Sequence, residues 1–127
     1  MTKQEAILIW DEAQKAGHEA YVKCVPQPMA VMAGDQVVEV VGEGVCGFAW
    51  VHVSGNEPFI RAMKQVATDW GLRRGPFTKD NYNGGYMYWV SDGESQPMSR
   101  KLAFAQAVAK VLQAHGIKSA RAESRMD

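Results

Sequence analysis

The chain reads as an α+β two-layer sandwich, with a mixed, mainly antiparallel sheet carrying its helices on one face. Three observations predict this. Helical stripes and period-2 runs interleave in the order α-β-β-β-α-β-α-β. The first three strands are joined by short glycine-containing links, which favour antiparallel neighbours, while the β-α-β-α-β order of the second half allows right-handed parallel crossovers. A length of 127 residues with 46% hydrophobic and 22% charged side chains suits a single soluble domain, 1–127, that buries its own core.

The elements follow in order. Thr2 and Glu5 form a capping box, and Ile9, Ala13, Ala16 and Ala20 continue at helical spacing. Gly17 either ends or weakens this first helix, and Pro26 and Pro28 stop it. Three strands come next: Met29 to Ala33, Val37 to Val41, and the long run Val45 to Val53, with turns at Gly34-Asp35 and Gly42-Glu43-Gly44. Ser54-Gly55-Asn56 breaks the strand and offers a cap to a second helix with Pro58 in its first turn. Phe59, Met63, Val66 and Trp70 form the buried stripe of that helix, and Gly71 suits its left-handed terminus. A loop from Leu72 to Gly84 leads to a fourth strand, Gly85 to Ser91. Ser95 caps a third helix with Pro97 in its first turn. Two adjacent stripes, Met98, Leu102, Ala105, Ala109, Leu112 and Phe104, Val108, Val111, give it a wide apolar surface suited to lying on a sheet. Gly116-Ile117 has the form of a Schellman ending, and a last strand runs from Lys118 to Ser124.

The run Val45 to Val53 is the most informative stretch. Val45, Gly47, Ala49, Val51 and Val53 share one face; Cys46, Phe48, Trp50 and His52 share the other. The second face is read first as core beneath the helices and second as the floor of a pocket. Phe48 and Trp50 then stand beside Tyr86, Tyr88 or Trp89 of a neighbouring strand, an arrangement that stacks nucleobases in several nucleotide and single-strand binders.

Charge and cysteine content narrow the function. Fourteen basic and fourteen acidic residues give a net charge of zero, which argues against a dedicated duplex DNA binder. No apolar run approaches the ~20 residues of a membrane span, and no apolar stretch of a signal peptide follows the N-terminus, so a cytoplasmic location is expected. Cys24 and Cys46 are expected as free thiols; no metal-ligand spacing and no cofactor fingerprint is present, so no metal and no cofactor are expected. Cys46 and His52 are six residues apart on one strand, about 20 Å, too far for a dyad.

The loop Arg73-Arg74-Gly75-Pro76-Phe77-Thr78-Lys79 followed by Asn81-Tyr82-Asn83-Gly84-Gly85 combines guanidiniums, glycines and aromatics in one long connection. Guanidiniums bind phosphate bidentately, and glycines let backbone amides approach it. Its ordinary reading is a solvated basic loop; its functional reading is an anion clamp. The candidate ligand-binding residues are Arg73, Arg74, Lys79 and Tyr82, with Trp50 and Tyr88 on the sheet and Arg121 and Arg125 near the last strand.

Gly44-Val45-Cys46-Gly47-Phe48-Ala49-Trp50, Gly84-Gly85 before a strand containing Trp89, Ser124-Arg125-Met126-Asp127, and Pro26-Gln27-Pro28-Met29 together resemble a group of small accessory proteins of tailed bacteriophages. The group has no assigned activity, so the resemblance implies no site residue. It implies expression inside a bacterium and a role in host manipulation or counter-defence. The expected function is a non-catalytic binding protein that sequesters a small anionic, nucleotide-like ligand. The alternatives are a protein–protein inhibitor of a host defence factor, and a hydrolase or transferase with Cys46 as nucleophile. A homo-oligomer is compatible with each.

Overall fold

The computed structural model describes residues 1–24, 29–33, 36–41, 47–71, 75–90 and 98–126. Among them lie three helices, α1 (Lys3–Lys23), α2 (Pro58–Asp69) and α3 (Met98–Ala114), and six strands: β1 (Met29–Ala33), β2 (Gln36–Val41), β3 (Gly47–Val53), β4 (Thr78–Lys79), β5 (Tyr86–Trp89) and β6 (Arg121–Met126). The α+β class and the expected element order hold, with the two-residue β4 added inside the long loop. Ser95 and Pro97 lie outside the described residues.

The sheet differs from expectation in two respects. Its order is β4-β5-β3-β6 and every pairing in it is antiparallel, so the parallel crossovers permitted by the second half are not used. The expected β1-β2-β3 meander is not formed either: β1 and β2 make their own antiparallel pair, irregular between Val31 and Met32. The reason is that β3 is already paired on both sides, with β5 and β6. A short link favours neighbouring strands, but a strand has only two edges.

Thr2 caps α1 as expected, its hydroxyl accepting from the Glu5 amide at 3.1 Å. The helix buries Ala6, Ile9, Ala13 and Gly17. Gly17 does not end it. A Cβ at this position would lie 2.8 Å from the Phe104 ring, so the bare backbone is what lets α1 and α3 close on one another. α2 starts at Pro58 with Glu57 as N-cap, and Glu57 makes no side-chain cap bond. Its carboxylate instead accepts from the Ser119 hydroxyl at 2.8 Å, while the Ser54 amide donates to that same hydroxyl at 3.1 Å. The cap expected from residues 54–56 is thus replaced by a tie between β3, α2 and the approach to β6. Phe59, Met63 and Val66 are buried as expected, but Trp70, at the C-cap where the chain leaves the helix, is 62% exposed. α3 ends as expected: the Ile117 amide donates to Leu112 O at 3.0 Å and the Gly116 amide to Gln113 O at 3.0 Å, the paired bonds of a Schellman motif.

The core lies on one side of the sheet. Ala49, Val51 and Val53 of β3 are fully buried against Phe59 and Ile60 of α2 and Phe104, Val108 and Leu112 of α3. Each of the larger side chains contributes about 1.5–3 kcal/mol by leaving water. α1 and α3 cover this side together, and Tyr88 of β5 joins it, its ring 4.9 Å from Trp10 and 6.5 Å from Phe104. Among the described residues the helices therefore lie on one face, the glycine–alanine–valine face of β3, not the aromatic one.

Candidate functional site

Register places the remaining side chains on the open face. Phe48, Trp50 and His52 of β3 stand opposite Arg125, Glu123 and Arg121 of β6; Trp50 and His52 also stand opposite Trp89 and Met87 of β5. Directly opposed residues share a face. The reading of Phe48 and Trp50 as core beneath the helices is therefore corrected: the helices lie on the other side, and both rings are only partly buried. They form a cluster with Trp89, which is 36% exposed. The Trp50 and Trp89 centroids are 5.0 Å apart, and Phe48 meets Trp89 edge-on at 5.6 Å.

Polar groups fix this cluster. The Trp50 indole N–H donates to Glu123 at 3.0 Å, and Arg121 donates to the other oxygen of that carboxylate. Arg125 sits over the Phe48 ring at 5.7 Å and has no carboxylate partner among the described residues. Lys101 is buried: it donates to Gly47 O at 3.1 Å and lies 5.6 Å from the same phenyl ring. Phe48 is thus flanked by two cations, an arrangement favourable to the negative face of its ring.

The far wall is a turn that the Asp80-Asn81-Tyr82-Asn83 sequence builds around one carboxylate. Asp80 is 4% exposed and accepts from the Tyr82 amide at 2.9 Å and the Asn83 amide at 3.0 Å. The Asn83 amide first, then that of Tyr82, holds its carboxyl below the ordinary value. His52, also buried, stands 3.8 Å from the carboxylate and bonds Gly84 O at 2.7 Å. A carbonyl only accepts, so His52 Nε2 carries the proton. Its Nδ1 is buried without a hydrogen-bond partner among the described residues. The return of the chain requires glycine at position 85: φ is +71°, and a Cβ would lie 2.7 Å from Val53 O. The outcome is that Tyr82 projects from the turn, 95% exposed.

Between the turn and the aromatic cluster lies a cleft of about 500 Å³, lined by Trp50, Asp80, Tyr82, Asn83, Met87, Trp89 and Arg125. Its size is that of small-molecule sites. A second concavity, about 350 Å³ between α1 and α2, is lined by Trp10, Met63, Val66, Trp70 and Pro76, with Asp11 as its charged residue. Among the described residues its lining is largely apolar.

The structure brings together three of the sequence-derived candidates, Trp50, Tyr82 and Arg125, in the cleft. Arg121 is on the same face but is tied to Glu123. Tyr88 is on the opposite side, packed with Trp10 and Phe104, because residues 88 and 89 alternate across the pleat; its assignment to the ligand face is corrected. Lys79 is exposed and registers with Tyr86, on the helix side, so it does not share the cleft. Arg73, Arg74 and Cys46 lie outside the described residues. Sequence reasoning missed Asn83 and Asp80 as a wall; an Asp followed at short range by Asn and two glycines was the available turn signal. Among the described residues, no group of three or more His, Cys, Asp or Glu could hold a metal ion, and no helix is long and apolar enough to cross a membrane.

Fold and site together define an α+β protein with one helix-covered and one open, aromatic sheet face. Comparison with protein-family models, curated proteins and solved structures gave no match.

Proposed function

We propose that this chain is a non-catalytic binding protein that captures a small, flat, anionic ligand of nucleotide type on the open face of its sheet. The observation that carries the reading is the cleft in which Trp50 and Trp89 present uncovered indole surface beside the guanidinium of Arg125. A planar ring stacks on the indoles, and Tyr82 stands where it can fold over the exposed side. Arg125 supplies charge-assisted hydrogen bonds to the anion. Asn83 offers an amide to the edge of the ring. The resemblance to phage accessory proteins supports reading this capture as sequestration of a host nucleotide signal, as host manipulation or counter-defence.

The test is calorimetry and tryptophan fluorescence with a panel of mononucleotides, cyclic dinucleotides and ADP-ribose derivatives. Binding that quenches fluorescence, weakens with salt, and falls at least ~10-fold in Trp89→Ala and in Arg125→Ala is expected. The absence of binding across the panel would overturn the reading and favour a host-protein partner. Turnover that disappears in Cys46→Ser with the fold retained would overturn it in favour of an enzyme.

A further inference from the structure

β6 is an edge strand. One side of it is paired with β3, and among the described residues no strand lies on the other. An uncovered edge presents unpaired amides and carbonyls to which another strand can add. Charged side chains often guard such an edge, so the order of the charges decides whether a second strand is repelled or admitted.

Arg121, Glu123 and Arg125 lie on the open face of β6, separated by the uncharged Ala122 and Ser124. Two antiparallel copies of this strand can meet only in registers that set like faces opposite one another, because the pleat has period 2. Of the two such registers that overlap the strand best, one is centred on Glu123. It sets Glu123 against itself and Arg121 against Arg125, all like charges. The other is centred on Ser124. It sets Glu123 against Arg125, and by symmetry Arg125 against Glu123, with Ser124 opposite itself and Ala122 opposite Met126. Opposite charges directly across a strand pair attract, and like charges repel.

We infer that the chain associates with a second copy of itself by antiparallel pairing of β6 with β6, centred on Ser124. The contact is isologous, with its two-fold axis perpendicular to the sheet at Ser124. The two four-stranded sheets become one of eight strands, and the two aromatic faces lie on the same side of it. Arg125 has five donors, so its pairing with Glu123 of the second copy leaves others for the cleft. This association stands independently of the ligand reading. One strand pair is a narrow interface by the standards of permanent dimers, so a weak, salt-sensitive, concentration-dependent association is expected.

Sedimentation velocity on the full chain, from micromolar to millimolar concentration at low salt, tests it. Glu123→Arg alone, and Arg125→Glu alone, each set like charges across the axis and should weaken dimerisation at least ~10-fold. The double variant Glu123→Arg with Arg125→Glu restores two attractive pairs and should return the affinity to within about threefold of the parent. A chain that stays monomeric throughout, or a double variant as weak as the singles, overturns the inference. Glu123 also bonds Trp50 and Arg121, so its variants can lose stability for local reasons. Ser124→Cys keeps those contacts. A short thiol cross-linker should then join position 124 of one copy to position 124 of the other, identified by peptide mass. Cross-links that never include the 124–124 pair overturn the register.

Discussion

The two faces of β3 are built from alternating residues of the same seven-residue strand, yet they meet opposite environments. Gly47, Ala49, Val51 and Val53 point to the helices and are buried. Phe48, Trp50 and His52 point to the open side, where the neighbours are Trp89, Met87, Arg121, Glu123 and Arg125. The helices cover the small side chains; Phe48 and Trp50 stay partly exposed, and His52 is buried by the turn that carries Gly84. α3 lies against β3 and β6, and α1 packs closely on α3, where Phe104 reaches the bare backbone of Gly17. The covered side of the sheet thus combines small side chains of β3 with Tyr88 of β5, while the two indoles, Trp50 and Trp89, lie together on the other side.

The comparison is broken or sharpened by substitutions on each side. The largest effect is expected on the covered face. Ala105 of α3 is fully buried in the core. Ala105→Asp places a carboxylate there and should cost several kcal/mol, seen as loss of a cooperative melt or a fall in Tm of well over 10 °C. A small shift would mean that the covered face is not the core.

Gly17→Ala comes next. Helix propensity alone favours alanine by about 1 kcal/mol. The added methyl would lie within 3 Å of the Phe104 ring, and overpacking of this kind costs about 1–3 kcal/mol. The net result should be destabilisation in a urea melt. A stabilised variant would show that α1 and α3 have room to separate.

On the open face, Trp89→Ala should cost only about 1 kcal/mol of stability, since the ring is already more than one-third exposed. Its effect on nucleotide affinity should be the larger one. A loss of several kcal/mol in the unliganded protein would show that the cluster is a second core rather than a platform.

The smallest effect concerns acid. Asp80 has a folded pKa below its unfolded value of about 3.9. Its stabilisation is therefore fully present above ~3.9 and lost as the pH falls through the folded value. Asp80→Asn should flatten the acid limb of the Tm profile below about pH 4 and leave the slope near pH 7 unchanged. An unchanged acid limb would mean that the turn carrying Tyr82 does not depend on this carboxylate.

Much of the fold was legible in local chemistry. Thr2, Gly71 and Gly116-Ile117 marked helix ends because capping involves residues a few positions apart, and the structure uses each of them, Thr2 by accepting from the Glu5 amide. The alternation of β3 was equally plain. The site was legible only in its parts. Trp50, Tyr82 and Arg125 were identifiable as candidates, but Tyr88 was assigned to the wrong side. Its strand's face is set by the register with β3, and no local signal encodes a register between strands more than thirty residues apart. His52 and Asp80 were separated for the same reason: only the pairing of β5 with β3 brings the histidine beneath the Gly84 carbonyl.

The sequence by itself determined the class, the element order, the helix caps and the division of β3 into a small-residue face and an aromatic face. These rest on propensity, periodicity and capping, all interactions within a turn or two of the chain. Only the tertiary structure decided that the sheet is antiparallel throughout, that β1 and β2 pair with each other and not with it, and that the helices settle on the alanine–valine face. Those outcomes depend on competition between distant segments for the two edges and the two faces of β3, and a competition of that kind is settled by packing the whole chain at once.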